Sequence, residues 1–399
     1  MAASDSKTSV TKSIVEDVEL WNLSCVESNV SVVLSTIGAT IQSLHVPDRD
    51  NITSDIVLGF ENPQTYQENE PYFGCIVGRV ANRIQGASFQ LNNEQYPLAV
   101  NNGPNCLHGG IKGFNKQIWK ANEISNGVEF SMVSPDGDEG FPGTLNVTAT
   151  YLLKGNRLEL YMDANVEGKS TPINLAQHSY FNLSGHNGTK LVETVHDHKV
   201  QIHANAYTPV NQDMIPTGEC KDVKDSVMDF RDATLLGPRL QQMEDEAVED
   251  AVLKNGKANK EDIENEIRGG PIGFDHNYVL HVCQPPCMRV AAVVSHAESG
   301  RTLTVETDAP GVQFYTANYL DKVNGKGGSV YHRHNAFCLE TQHFPSSVCE
   351  VSPVTAEFKK VGGASPIISP DGPPYRHSIH YTFGQDATNE ELKRRKTNN

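Results

Sequence analysis

Short runs of β-branched and aromatic residues, separated by turn signals, recur along most of this chain. Residues 289–295 and 301–307 are two such runs, and Glu298-Ser-Gly between them predicts a hairpin. The runs at 145–153 and 158–164 have the same character. Neither the strand–helix alternation of a parallel sheet nor a glycine-rich phosphate loop is visible. The pattern predicts an all-β fold, a large antiparallel β-sandwich with few short helices.

Length and charge narrow the class of partner. The chain has 399 residues and a formal net charge of -16, which argues against a nucleic-acid or anionic-membrane partner. No apolar run approaches the ~20 residues that span a bilayer, and no apolar segment follows Met1. We therefore expect a cytoplasmic protein that acts on a small molecule.

Two segments depart from the β pattern. Residues 241–268 are rich in Glu, Asp and Lys, and we expect a charged, solvated surface insertion with short helices around 244–253 and 260–267. A partner-binding arm is the alternative for this segment. Residues 385–399 are polar and end in a basic cluster, typical of a disordered tail. We expect residues 1–384 to form one domain.

Eight cysteines in a chain of this length do not predict a disulfide framework. Cys283-Gln-Pro-Pro-Cys287 has the spacing of half a zinc site, but no matching second pair follows. We expect thiols rather than a metal there, and no metal or cofactor elsewhere.

The segment from Asn174 to Gly185 contains His178, whose imidazole can exchange protons near neutral pH. Tyr180 and Phe181 offer flat apolar faces, and Gln177 and Asn182 offer amide groups, a mixture that suits a sugar. Taken alone, this segment favours a hydrogen-bonded core histidine at His178, and only the other clusters of the chain reverse that preference.

Four further clusters carry polar side chains beside apolar or glycine-rich stretches. They are Gly78-Arg-Val-Ala-Asn82-Arg83-Ile, the loop from Asn101 to Phe114 with His108-Gly-Gly, Gly273-Phe-Asp275-His-Asn-Tyr, and Gly311-Val-Gln313-Phe-Tyr leading to Cys338-Leu-Glu340-Thr-Gln342.

Each cluster also has a simpler interpretation. Asn82 and Arg83 could form a surface turn, His108 could be an exposed loop residue, and Asp275 could cap a turn. Glu340 follows an apolar run, where partial desolvation would raise its pKa and make it a better base, but an edge-strand glutamate is the alternative.

Together the five clusters resemble the aldose 1-epimerase family, and they occur in the family's order. The resemblance covers roughly residues 30–383, with 241–268 as an apparent insertion. It implies a β-supersandwich with a sugar-binding cleft, and an enzyme that interconverts the α and β anomers of free hexoses such as galactose and glucose.

The resemblance also implies roles for individual residues. Glu340 would be the general base, His178 the general acid and His108 a second essential histidine. Sugar hydroxyls would be held by four further residues: Asn82, Arg83, Asp275 and Gln313. Arg83 could also steady charge as the ring opens. No metal, cofactor, nucleic acid or membrane is implied, and we expect a monomer.

Three other functions remain open at this stage. A sugar-binding or regulatory protein with the same fold but without catalytic activity would be expected to lack Glu340 or His178. An epimerase of phosphorylated hexoses would need cations beyond Arg83, with Arg79 and Lys112 as neighbours in sequence. A glycosidase would use Glu340 and Asp275 as its carboxylate pair.

Overall fold

The computed structural model describes residues 8–68, 70–186, 192–254, 266, 269–280, 287–348 and 367–386. Within these residues it contains thirty β-strands, six short 3-10 helices and one α-helix. The all-β prediction is confirmed.

The first fifteen strands, in chain order, are β1 (Thr8–Val15), β2 (Val18–Cys25), β3 (Val30–Ser35), β4 (Thr40–Pro47), β5 (Thr53–Val57), β6 (Ile76–Val77), β7 (Arg83–Ile84), β8 (Ser88–Leu91), β9 (Glu94–Pro97), β10 (Cys106–Leu107), β11 (Lys120–Ile124), β12 (Gly127–Ser134), β13 (Thr144–Lys154), β14 (Arg157–Glu167) and β15 (Thr171–Pro172).

The remaining strands are β16 (Ala176–Gln177), β17 (Phe181–His186), β18 (His198–Ile202), β19 (Ala204–Thr208), β20 (Lys221–Asp222), β21 (Thr234–Leu235), β22 (Asp275–Leu280), β23 (Arg289–His296), β24 (Arg301–Thr307), β25 (Gly311–Tyr315), β26 (Val323–Asn324), β27 (Val330–Tyr331), β28 (Cys338–Gln342), β29 (Ile367–Ile368) and β30 (Tyr375–Gln385). The 3-10 helices are Pro63–Glu68, Gln85–Ala87, Phe114–Lys116, Asp138–Gly140, Val195–Asp197 and Lys326–Gly328.

Three larger antiparallel sheets organise these strands. A six-stranded sheet has the order β1-β2-β3-β4-β5-β17, a nine-stranded sheet β11-β12-β13-β14-β30-β24-β23-β18-β21, and a five-stranded sheet β20-β19-β22-β25-β28. Side chains from all three sheets contribute to one hydrophobic core, for example Leu23, Leu160 and Phe314. The predicted hairpin is confirmed as β23 and β24.

Strand β13 shows why these sequences form sheets that are buried on one side. Its buried and partly exposed residues alternate along its whole length, and Val147, Ala149 and Tyr151 point into the core. Because successive side chains of a strand face opposite sides, this alternation places an apolar face against the neighbouring sheet. Burying each large apolar side chain contributes about 1.5–3 kcal/mol.

The α-helix, α1 (Leu236–Lys254), begins earlier than the predicted helix around 244–253. Pro238 stands in its first turn, where proline is tolerated because the first backbone N–H groups have no partner within the helix. Leu240 and Val248 are buried and hold the helix against β18, so one face of the charged segment packs on the protein. Most of the second predicted helix, at 260–267, lies outside the described residues, as does almost all of the 385–399 tail.

Five of the six described cysteines form no disulfide bond. Cys287 is disulfide-bonded, so the expectation of a thiol at this position was wrong. Its partner lies outside the described residues, and a single sequence spacing does not distinguish a disulfide from a pair of thiols.

Candidate active site

One cavity of about 620 Å³ lies at the face of the five-stranded sheet, and it brings most of the predicted residues together. Side chains from all five sequence clusters line it: Asn82, Arg83, His108, His178, Asp275 and Glu340. Its volume is typical of a site for a small molecule.

The five-stranded sheet places the carboxylates. Glu340 lies in the middle of β28 and is paired with Gln313 of β25, which is paired in turn with Asn277 of β22. Asp275 is two residues before Asn277 and therefore points to the same face of the sheet. Strand pairing thus brings three distant segments of the chain to one side of the cavity.

The two-stranded sheet of β6 and β16 positions His178. The residue directly follows β16, its backbone N–H donates to the carbonyl of Cys75 at 2.9 Å, and its own carbonyl accepts from Gly74 at 3.0 Å. The aromatic ring of Tyr180 stacks on the imidazole with 5.1 Å between ring centroids. His178 is consequently fixed by backbone and ring contacts on the floor of the cavity.

A second small sheet, β7 with β10, holds Arg83 and His108 together. Arg83 pairs with Leu107, and the N–H of Asn82 donates to Nδ1 of His108 at 3.2 Å. Gly109, which follows His108, has φ +85, and a Cβ there would lie 1.9 Å from the carbonyl oxygen of Gly78. This close approach explains the glycine after the histidine.

Glu340 and His178 form the central contact. Nε2 of His178 lies 3.5 Å from Oε2 of Glu340, and both residues are almost fully buried. Oε2 has no hydrogen-bond partner among the described residues. Burial, and then the negative charge of Asp275, raise the pKa of Glu340 well above its usual value.

Burial acts on the imidazole in the opposite sense. Burial lowers the pKa of His178 to about 4. In water, a neighbouring carboxylate would raise the pKa of an imidazole, but here the effect of burial is larger. Burial also lowers the pKa of His108 well below its usual value, with the charges of His178 and Arg83 acting in the same direction. These pKa shifts favour neutral imidazoles beside a carboxyl group that retains its proton.

Asp275 is held by two neighbours. Nε2 of Gln313 donates to its Oδ1 at 2.6 Å, and Nη1 of Arg83 lies 3.9 Å from its Oδ2. Nε of Arg83 donates to Asn102 at 2.9 Å. Gln313 itself does not line the cavity, so it reaches the site through Asp275.

Some residues singled out in the sequence have structural roles. Phe181 packs in the core, the amide of Gln177 donates to the carbonyl of Gly74, and the amide of Asn182 donates to the carbonyl of Asn335. Arg79 is buried and donates to backbone carbonyls, including those of Pro142 and Gly143. Neither Arg79 nor the exposed Lys112 lines the cavity.

Sequence reasoning missed several residues of the wall. The ring of Tyr72 lies 4.5 Å from that of His108 and 5.9 Å from that of His178. Tyr319 lies at the mouth, 58% exposed, and Met214 and Asn102 also line the cavity. Two of these residues carried a usable signal: Tyr72 lies shortly before the Gly78 cluster, and Asn102 lies in the loop that contains His108.

His108, His178 and Glu340 place potential metal-binding atoms within 4.8 Å of one another. However, Nδ1 of His108 accepts a backbone N–H, so the neutral ring carries its proton on Nε2. A metal-binding histidine normally donates from its second nitrogen. This arrangement favours a hydrogen-bond donor in the cavity over a metal ligand.

Comparison with known proteins agrees with this fold and identifies the family. The sequence profile of the aldose 1-epimerase family matches residues 23–356. The chain is 40% identical over 383 residues to galactose mutarotase from Sus scrofa, covering 94% of this chain and 98% of that protein. It is 43% identical over 318 residues to galactose mutarotase from Homo sapiens, covering 78% and 82%.

Among solved structures, an aldose epimerase homologue from C. elegans superposes with a TM-score of 0.74 at 24% identity, covering 95% of this chain and 100% of that one. This likeness concerns the fold and confirms the predicted mutarotase-like supersandwich. The fold and the constellation of site residues define a carbohydrate epimerase. The chain belongs to the aldose 1-epimerase family.

Proposed function

We propose that the protein is a mutarotase that interconverts the α and β anomers of free aldohexoses, with galactose and glucose as its substrates. The observation that carries this proposal is the contact between Glu340 and His178 on the floor of a sugar-sized cavity. The reaction requires one group that accepts a proton and one that donates a proton, and each such group typically contributes about 10²–10⁴ in rate.

In the proposed mechanism, Glu340 accepts the proton of the C1 hydroxyl while His178 donates a proton to the ring oxygen. The C1–O5 bond breaks, its electron pair stays on O5, and C1 becomes an aldehyde carbon. Rotation about C1–C2 presents the other face of the aldehyde, and the reverse proton transfers close the ring as the other anomer.

The mechanism requires Glu340 as a carboxylate and His178 as an imidazolium, so that the two side chains share one titratable proton. A carboxylate beside an imidazolium carries the same number of protons as a carboxyl group beside a neutral imidazole. The shifts of both pKa values favour the second arrangement. Moving one proton between the two groups generates the reactive form without exchange with solvent.

The other polar groups of the cavity would bind and orient the sugar. His108 presents an Nε2–H donor, while Asn82, Arg83 and Asp275 offer donors and acceptors for hydroxyls. Gln313 would support binding by holding Asp275. Tyr180 and Tyr72 offer flat faces to the apolar side of a pyranose.

The charge of the cavity disfavours a phosphorylated substrate. Arg83 is the only Lys or Arg among the cavity-lining residues in the described part of the chain. Four acidic residues besides Glu340 line the cavity: Glu70, Asp213, Asp275 and Asp321. A phosphate dianion would meet a net negative surface.

Polarimetry of freshly dissolved α-D-galactose, with and without the protein, tests the proposal. We expect the rotation to reach equilibrium faster in proportion to protein concentration. Galactose 6-phosphate should be a poorer substrate, and a nitrophenyl galactoside should release no nitrophenol. If the protein fails to accelerate any free aldose, the proposal is wrong, and nitrophenol release would favour the glycosidase.

A further inference from the structure

Cys338 contacts the nitrogen of the His178 imidazole that does not face Glu340. Its Sγ lies 3.7 Å from Nδ1, whereas Nε2 is the nitrogen that faces Glu340. Both the cysteine and the histidine are buried. Each nitrogen of this one ring therefore has its own partner.

The geometry of β28 explains how a single strand supplies both partners. Cys338 and Glu340 are two residues apart in the strand, so their side chains point to the same face. Leu339, between them, points the other way and packs in the main hydrophobic core. The strand thus presents a thiol and a carboxyl group side by side to one imidazole.

The ring contacts of His178 leave the choice of nitrogen open. Tyr180 and Tyr72 stack nearly parallel to the imidazole, with interplanar angles of 16° and 22°. Stacking of flat rings fixes the plane of the imidazole. A turn of about 180° about χ2 would keep this plane and the stacking but would exchange the positions of nitrogen and carbon atoms. The partners of the two nitrogens, Glu340 at Nε2 and Cys338 at Nδ1, distinguish the two orientations.

We propose that Cys338 is a positioning residue, which keeps His178 turned so that Nε2 faces Glu340 and the sugar. A thiol suits this role because it can both donate and accept a weak hydrogen bond. It accepts from Nδ1–H when His178 carries two protons, and it still accepts from Nδ1–H after the ring has given up its Nε2 proton. The ring can therefore exchange its Nε2 proton without turning.

This inference depends on the proposed mutarotase activity for its kinetic test. The variants are Cys338→Ala, which removes the partner, and Cys338→Ser, which keeps a donor and acceptor. Cys75→Ala is the matched control, because Cys75 is equally buried near the site but donates to the carbonyl of Tyr72 instead of the imidazole.

We expect kcat of Cys338→Ala to fall about tenfold with KM within about twofold, since misplacing a reacting group slows chemistry without weakening binding. Cys338→Ser should recover most of the lost kcat, and Cys75→Ala should stay within about twofold of the wild type. An unchanged kcat in Cys338→Ala would overturn the proposal. So would equal losses in Cys338→Ala and Cys75→Ala, which would indicate a general effect of packing.

Nuclear magnetic resonance of ¹⁵N-histidine-labelled protein provides a readout that does not depend on activity. The signals of His178 can be assigned from their loss in His178→Gln. We expect one set of ring signals in the wild type and in Cys75→Ala, and two sets or exchange broadening in Cys338→Ala. A single unchanged set in Cys338→Ala would contradict the inference even if the protein acted on no sugar, so the two proposals fail separately.

Discussion

Nε2 of His178 and Oε2 of Glu340 lie 3.5 Å apart, and both residues are buried, although His178 follows β16 and Glu340 lies in the five-stranded sheet. Their pKa values shift in opposite directions, chiefly because burial penalises the charged form of each group. The two shifts therefore favour a pair that holds a single proton, with a neutral imidazole beside a protonated carboxyl group.

The first prediction concerns the pH dependence of kcat/KM. Below about pH 4, a second proton enters the pair at His178 and activity should fall. As the pH rises, activity should persist until the carboxyl group loses its proton, which its raised pKa delays. We therefore expect no loss of activity around pH 6.5, where an exposed histidine would lose its proton.

Stopped-flow polarimetry across the pH range, corrected for the uncatalysed rate in each buffer, measures this profile. Tryptophan fluorescence should accompany it, to show that the protein remains folded at the acid end. A fall in kcat/KM with a midpoint near 6.5 would show that His178 titrates as an isolated histidine.

The second prediction concerns Asp275→Asn. The negative charge of Asp275 raises the pKa of Glu340, so its removal should shift the alkaline limit of activity to lower pH. Loss of a charged hydrogen-bond partner costs about 1.5–3 kcal/mol, so KM should rise about tenfold or more. Asparagine keeps an oxygen that accepts from Gln313, which limits structural change.

Asp321→Asn is the matched control, because Asp321 is an exposed carboxylate at the same cavity. It should leave both the alkaline limit and KM nearly unchanged. Equal effects of the two substitutions would attribute them to the overall charge of the cavity, against a specific role of Asp275.

The sequence indicated much of this site because its polar residues occur in compact motifs. Asn82 and Arg83, or His108 and its glycines, lie in or next to short strands. A local sequence pattern is therefore enough to indicate these site residues. Tyr319 and Met214 reach the cavity from loops whose sequences resemble ordinary turns, and no local signal marks them. The raised pKa of Glu340 was expected, but the lowered pKa of His178 required its degree of burial, which depends on tertiary packing.

The third prediction concerns stability. Nζ of the buried Lys326 donates to the carboxylate of Asp55 and to the carbonyls of Gln42 and Val57. Lys326→Met would leave Asp55 buried without its counterion, and we expect the free energy of unfolding to fall by about 3–5 kcal/mol. Urea denaturation followed by fluorescence measures this change.

Replacement of both partners distinguishes the loss of a counterion from the loss of packing. Asp55→Asn combined with Lys326→Met should be more stable than Lys326→Met alone, since no unpaired charge remains. Lys199→Met, at an exposed position of β18, is the control and should change stability by less than about 0.5 kcal/mol. A similar small effect for Lys326→Met would show that the buried pair contributes little.

The most direct test of the account is the polarimetric rate of Glu340→Gln with α-D-galactose. Glutamine keeps the shape of the side chain but accepts no proton from the C1 hydroxyl, so we expect kcat to fall at least about 10²-fold while the protein stays folded. A folded Glu340→Gln variant with a rate near that of the wild type would contradict the assignment of Glu340 as the base.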